Sequence, residues 1–256
     1  MAQLVKDIQP RGIASAYVRA PFDQGKAMLE EEKYLIISLE QNARLRMQEG
    51  KDSFVARNGN WVREGFLYVP KKGKFLTKIS PIMDHPVDAT RTHGRGEEFY
   101  LINTEVERSL ANSVKLKNRE FSIPTNRFGD DKITAFAFGN SAKLYGNFLR
   151  EVGIKRMFVS LSDNIGDEPF ARQAWFYGLI NDSKLLGYDT MLDTGGWWVR
   201  GVKLTSFAGS QSVKQDLSYT QRELNKYSRI VQKVREGNIP ASKLEEVLGF
   251  LGGLKQ

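Results

Sequence analysis

Six aromatic residues, Trp175, Phe176, Tyr177, Tyr188, Trp197 and Trp198, stand among Asn, Asp, Ser, Thr and Gly within residues 171–202. The chemistry this mixture supports is non-covalent recognition. Rigid rings offer contact area at small entropy cost and short polar side chains supply adaptable hydrogen bonds, as in antibody loops. Three of the four tryptophans of the chain lie in this stretch, so binding is the first expectation and catalysis the second. For catalysis the candidates are Asp163, Asp167 and Glu168 in LSDNIGDEPF, carboxylates spaced closely enough to hold a hard cation through oxygen. A second reading places Asp167 and Glu168 ahead of Pro169 in the first turn of a helix, where negative charge is favourable. His85 and His93 flank MDHPVDATRTHGRG, whose Pro and Gly suit a turn better than a metal-ligating helix or strand. With no cysteine in the chain there is no thiolate nucleophile, disulfide or thiolate-bound zinc. The chain is therefore expected not to be an enzyme, and no catalytic residue, metal or cofactor is assigned.

The composition bounds what must position these residues. A chain of 256 residues with 41 % hydrophobic and 27 % charged side chains reads as an ordinary globular protein of one large domain or two small ones. Its net charge of +8 and pI near 9.5 fit nucleic acid, an acidic partner or solubility alone. Lys71, Lys72, Lys74 and Lys78 in PKKGKFLTK make one basic patch, and a second is spread from Lys203 to Lys255. A Lys-rich hairpin tip also serves to protect a sheet edge. No run resembles a signal peptide or reaches the roughly 20 apolar residues of a membrane span, which makes a cytoplasmic location the default.

Along the chain, QGKAMLEEEK is a candidate helix, and YLIISLEQ is either a strand or the continuation of that helix. From Ser53 to Ile79 short strands are expected: FVARNGNWV with its Asn-Gly pair, REGFLYVP, and FLTKISPI after the PKKGK turn, an antiparallel meander with Trp61 inward. Residues 83–97 read as loop, and EEFYLINTEVERSLANSV as a strand followed by a helix from Asn103 or Thr104. NREFSIPTNRFGDD is loop-rich. ITAFAFGN is a buried-strand candidate closed by Gly139, Ser141 can cap a helix carrying Leu144, Phe148, Leu149 and Val152, Gly153 ends it, and RMFVSLS is the next strand. Two arrangements fit this unit, a βαβ element or a helix laid on an antiparallel sheet, and the first lacks a Gly-rich phosphate fingerprint. SFAGSQS is a linker. SYTQRELNKYSRIVQKVREG and ASKLEEVLGFLGGL form an α-hairpin over residues 210–256 that packs on the domain or docks a partner.

Within residues 171–202 two sets of positions interleave. Gln173, Trp175, Gly178, Leu179, Ser183, Leu185, Gly187, Leu192 and VRGV can supply core contacts and turns. Tyr177, Ile180, Asn181, Asp182, Lys184, Leu186, Tyr188, Asp189, Thr190, Met191, Asp193, Thr194, Trp197 and Trp198 have mixed chemistry. Neighbours on a strand point to opposite faces, so at least one of Trp197 and Trp198 should face outward.

FGDDKITAFAFGNSAKLYGNFLREVGIKRMFV followed by EPFARQAWFYGLINDSKLLGYD and VRGV resembles the helix, strand and variable segment of the target proteins of diversity-generating retroelements, archaeal ones in particular. The resemblance covers about residues 127–203. It implies an α+β architecture with the C-type lectin fold, an antiparallel sheet with flanking helices and an irregular binding face, here over residues 1–205; the helical C-terminal extension over 206–256, read from its own amphipathic spacing, departs from the family, in which the variable region usually closes the chain. Calcium-dependent sugar binding is not implied. The implied function is ligand display by a diversified surface whose partner is a protein or another macromolecule. By position the binding candidates are Tyr177, Asn181, Lys184, Tyr188, Asp189, Met191, Asp193, Thr194, Trp197 and Trp198, with Tyr188, Trp197 and Trp198 as anchors. Asparagine codons altered at adenines yield Tyr, Asp, Ser and Gly but not Trp, Met or Lys, which leaves Trp197, Trp198, Met191 and Lys184 fixed or otherwise encoded. The alternative function is nucleic-acid binding through the Lys-rich hairpin and the C-terminal helices.

Overall fold

The computed structural model describes residues 2–8, 14–163, 165–179, 183–187 and 191–203. The expected C-terminal hairpin, its linker and its basic patch beyond Lys203 lie outside the described residues, as do Asn181, Tyr188 and Asp189. In chain order the elements are β1 (Leu4–Ile8), β2 (Ala14–Arg19), α1 (Phe22–Glu31), β3 (Leu35–Ile36), α2 (Leu39–Glu49), α3 (Phe54–Arg57), β4 (Asn60–Val69), β5 (Gly73–Thr77), α4 (Pro86–Gly94), β6 (Phe99–Tyr100), α5 (Asn103–Ala111), β7 (Ser113–Lys115), β8 (Phe121–Pro124), α6 (Lys132–Phe138), α7 (Ala142–Glu151), β9 (Arg156–Leu161), β10 (Phe170–Phe176), β11 (Ser183–Gly187) and β12 (Trp198–Val202).

Local chemistry explains most boundaries. Ser38 interrupts the apolar run YLIISLEQ: its hydroxyl accepts from the Gln41 N–H at 3.1 Å while Gln41 reaches back to the Ser38 N–H at 2.9 Å, a reciprocal cap that starts α2. The run is therefore a two-residue strand and then a helix. The Lys-rich turn joins β4 to β5 as expected, with Val69 opposite Gly73, and Trp61 is buried. Three expectations fail. FVAR is a helical turn, because the Ser53 hydroxyl caps it by accepting from the Ala56 N–H. Residues 86–94 are helix α4 rather than loop: Pro86 sits in the first turn, where its missing N–H costs nothing, and Ala89 and Thr90 give it a buried face. ITAFAF is helix α6, started by the Asp131 carboxylate, which accepts from the Ile133 and Thr134 N–H groups. A six-residue apolar run does not distinguish strand from helix, and here the cap decides. The βαβ reading falls with it.

The strands form one sheet with the main order β1-β2-β12-β4-β10-β11-β9-β8. It is mostly antiparallel, as expected, with parallel pairing of β9 to β11 and of β12 to β4. Alternation along β4 sends Val62, Phe66 and Tyr68 into one core and Trp61, Leu67 and Val69 into another. The first core holds residues of α2, α6 and α7 and the second residues of α1, α4 and α5, so helices cover both faces. α7 buries Ala142, Tyr145, Gly146 and Leu149, and Leu144 points outward. Ser141 precedes α7 without capping it; its hydroxyl accepts from the Arg44 Nε at 2.9 Å.

Candidate recognition surface

The segment that begins with β10 is attached to the rest of the molecule at closely spaced points. Gln173 lies where β10 shifts register against β4, and its amide donates to the carbonyls of Val62 and, at 3.0 Å, Glu64. Trp175 is buried in a chain of edge-to-face rings, 5.0 Å from Trp61, 4.3 Å from Trp197 and 6.2 Å from Tyr177. The fully buried Arg46 donates to the Tyr177 carbonyl at 2.8 Å, the Val55 carbonyl at 3.1 Å and the Tyr145 hydroxyl at 3.2 Å, with its guanidinium 4.1 Å from the Phe176 ring centroid. Gly178 follows so close to the chain that a Cβ would stand 2.2 Å from the Arg57 carbonyl oxygen.

Further along, the Tyr68 hydroxyl donates to the Gly187 carbonyl and accepts from the Ser162 N–H at 3.2 Å. Burial pushes its ionisation well above the ordinary range, so it stays a neutral donor. Leu192 is buried, and its carbonyl accepts from the Phe22 N–H at 2.8 Å. The Gly196 carbonyl accepts from the Arg19 Nε at 3.1 Å. Strand β12 then closes the segment between β2 and β4, with Val199, Arg200 and Val202 buried.

Among the described residues of the segment, the framework set lies deeper than the interleaved set. Gln173, Trp175, Gly178, Ser183, Leu185, Gly187, Leu192 and Val199 to Val202 are buried and Leu179 is half-buried. Of the interleaved set, Met191 and Asp193 are exposed, and Tyr177, Lys184, Thr194, Trp197 and Trp198 are half-buried; Leu186 departs from the pattern and is buried. The Tyr177 N–H donates to the Lys184 carbonyl at 2.9 Å, which places these two residues side by side. Met191, Asp193 and Thr194 share one turn, closed by the Thr194 hydroxyl donating to the Met191 carbonyl at 3.3 Å. Trp197 joins the Trp61 and Trp175 rings, whereas Trp198 stands edge-on to Tyr17 and Phe54 at 5.4 and 5.1 Å, in a separate cluster. Both indoles thus belong in part to the scaffold.

The anchoring residues Arg19, Phe22, Arg46 and Tyr68 were not singled out in the sequence. Their types are unremarkable there, and only the fold brings them to the segment.

The other candidates fare differently. Asp167 and Glu168 precede strand β10 and not a helix, so the capping explanation is withdrawn; with Asp163 they are exposed on the connecting loop. Among the described residues no group of three or more His, Asp or Glu side chains is gathered to hold a metal, and no helix is long and apolar enough to cross a membrane. Of the four lysines in the hairpin patch, Lys71 and Lys72 are exposed, but Lys74 is buried, donating to the Asn118 carbonyl, and its burial lowers the ammonium's proton affinity. Lys78 is half-buried over the Phe136 ring. The hairpin therefore offers a smaller cationic surface than its sequence implied.

No protein-family profile and no curated protein matches the chain. A solved structure described as "Accommodation of massive sequence variation in Nanoarchaeota by the C-type lectin fold" aligns with 77 % of this chain and 99 % of its own, at a TM-score of 0.55 and 14 % identity. At that identity the likeness concerns architecture, and the architecture of this chain is that of the C-type lectin fold.

Proposed function

We propose that the protein is a non-enzymatic ligand-display protein of a diversity-generating retroelement, with a recognition surface built on residues 171–202. The observation that supports this best is the division of burial within that segment: framework side chains lie inside, while Met191 and Asp193 are exposed and Tyr177, Lys184, Thr194, Trp197 and Trp198 are partly so. Backbone attachment at Tyr177, Gly187, Leu192 and Gly196 holds the segment without the side chains of Lys184, Met191, Asp193 and Thr194, so their chemistry can change while the fold does not. Trp197 and Trp198, which adenine changes in asparagine codons do not produce, each pack against two other rings. A protein or other macromolecular ligand suits an open, aromatic-rich surface better than a small molecule does.

The test is a displayed library randomised at Asn181, Lys184, Tyr188, Asp189, Met191, Asp193 and Thr194 and selected against several unrelated proteins. Folded members and binders to more than one target are expected; a library that is mostly unfolded, or folded without binders, rejects the reading. In the genome, a near-copy of the codons for 171–202 differing mainly at adenines, beside a reverse transcriptase gene, is expected.

A further inference from the structure

The main sheet ends in β8 on one side and β1 on the other, and among the described residues no strand pairs with the outer edge of either. A free edge is a row of unpaired N–H and C=O groups that can take another strand, unless the chain blunts it. Which groups face outward follows from the register. The Thr125 N–H bonds the Lys155 carbonyl, so alternation turns the backbone of Ser122 and Pro124 away from β9. Proline has no N–H to offer, and the short strand β8 is therefore a blunted edge. At the other end, the Lys203 N–H bonds the Ala14 carbonyl, so the backbone of Ala16 and Val18 faces β12 while that of Ser15 and Tyr17 faces β1. Val5, opposite Tyr17, thus spends its N–H and C=O on β2, and Leu4, Lys6 and Ile8 turn theirs outward.

The β1 edge lacks these blunting devices. It contains no proline or glycine, and its register against β2 is unbroken from Leu4 to Ile8. Its lysine, Lys6, is already paired within the chain with Glu32 at 2.7 Å. Val5, beside it, is 39 % exposed. A second copy of the chain complements this edge, and charge selects the register. A twofold axis through Lys6 would set two lysines face to face, which is unfavourable. An axis through Val5 sets that valine against its own copy, apolar on apolar. Leu4 and Lys6 of the second copy then exchange their outward N–H and C=O groups, with the Lys6 stem along Leu4. We propose that the protein is a twofold dimer joined antiparallel at β1, so that the sheet runs from one copy into the other. The joint uses none of residues 171–202, and the dimer presents that segment twice, which raises avidity for a repetitive target without any new contact. The pairing does not depend on what that segment binds.

Light scattering on the full chain tests the association. A mass of twice 29.1 kDa is expected at tens of micromolar; a monomer leaves the edge to a strand of some other protein and overturns the proposal. Lys6→Pro deletes an outward N–H without touching the β1–β2 ladder, so a folded monomer is expected. If thermal melts show that variant unfolded, Val5→Lys, which sets two charges face to face, replaces it. A folded variant that is still dimeric puts the joint elsewhere and rejects the pairing. Because the chain has no cysteine, single-cysteine variants report the register on non-reducing gels. Val5→Cys places two Cα atoms about 4.5 Å apart, inside the disulfide range of about 4.4–6.8 Å. Lys6→Cys faces Leu4, with its own copy two residues, about 7 Å, further along the strand. Under mild oxidation Val5→Cys should form the linked dimer at least about tenfold faster than Lys6→Cys; equal or reversed rates would overturn the Val5-centred dimer.

Discussion

Glu64 lies in the middle of β4 and is fully buried, accepting from the Leu39 N–H at 2.9 Å while its other carboxyl oxygen has no partner. Desolvation outweighs that hydrogen bond and the nearby Arg63 and Lys78, and raises the carboxyl to about 7. Its unfolded value is about 4.3, so between the two the folded state binds the extra proton. The stability contributed by neutral Glu64 is fully present below about pH 4 and is lost as pH rises through about 7, a total of about 4 kcal/mol at about 1.36 kcal/mol per unit, most of it between pH 5 and pH 8. Thermal melts of the wild type should therefore fall by roughly 5–10 °C from pH 5 to pH 8, and those of Glu64→Gln should stay nearly level. Equal slopes in the two proteins would show that Glu64 is not the titrating group.

Elements differ in how far their sequences declared them. The helix in QGKAMLEEEK, the Lys-rich hairpin, α5 and β9 carry their signals within a few residues, in a turn, a cap or a period, and they form where expected. ITAFAF and residues 86–94 do not, because a short apolar run and a Pro-led polar stretch take their identity from caps and from the surfaces they cover. The framework of 171–202 was legible because buried and mixed-chemistry positions alternate visibly. What holds it was not, since Arg46 and Tyr68 reach Tyr177 and Gly187 across 131 and 119 residues of sequence. Arg46 links α2, through the Val55 and Tyr177 carbonyls, to the point where β10 gives way to the irregular stretch. Arg46→Met keeps roughly the volume but leaves the buried Val55 carbonyl and the part-buried Tyr177 carbonyl without that donor, at an expected cost of about 2–4 kcal/mol. Hydrogen exchange should quicken first at residues 175–178 and 183–185, while β4 and β5 keep their protection; uniform quickening across the sheet would mean that Arg46 supports the whole core rather than this junction.

For the whole molecule, one backbone carries two kinds of side chain along 171–202, those packed into both cores and, among the described residues, those left wholly or partly exposed on a segment held at short intervals. Binding sites on rigid elements keep their geometry when their side chains change, and here even the irregular turn at 191–194 is attached within itself at Leu192 and just beyond itself at Gly196. Stability and surface chemistry should then be nearly independent. Replacing Lys184, Met191, Asp193 and Thr194 together by Ala is expected to cost less than about 1 kcal/mol in urea unfolding, because each is at least partly exposed and such sites usually count for about 0.5 kcal/mol or less. Leu192→Ala, one residue from two of them but fully buried, is expected to cost about 2–4 kcal/mol. Trp197→Ala should fall between, near 2 kcal/mol, since it opens the ring chain with Trp61 and Trp175 while the indole is only half-buried. A quadruple variant as unstable as Leu192→Ala would mean that these side chains hold the segment in shape, and a surface of that kind could not be rewritten without losing the fold.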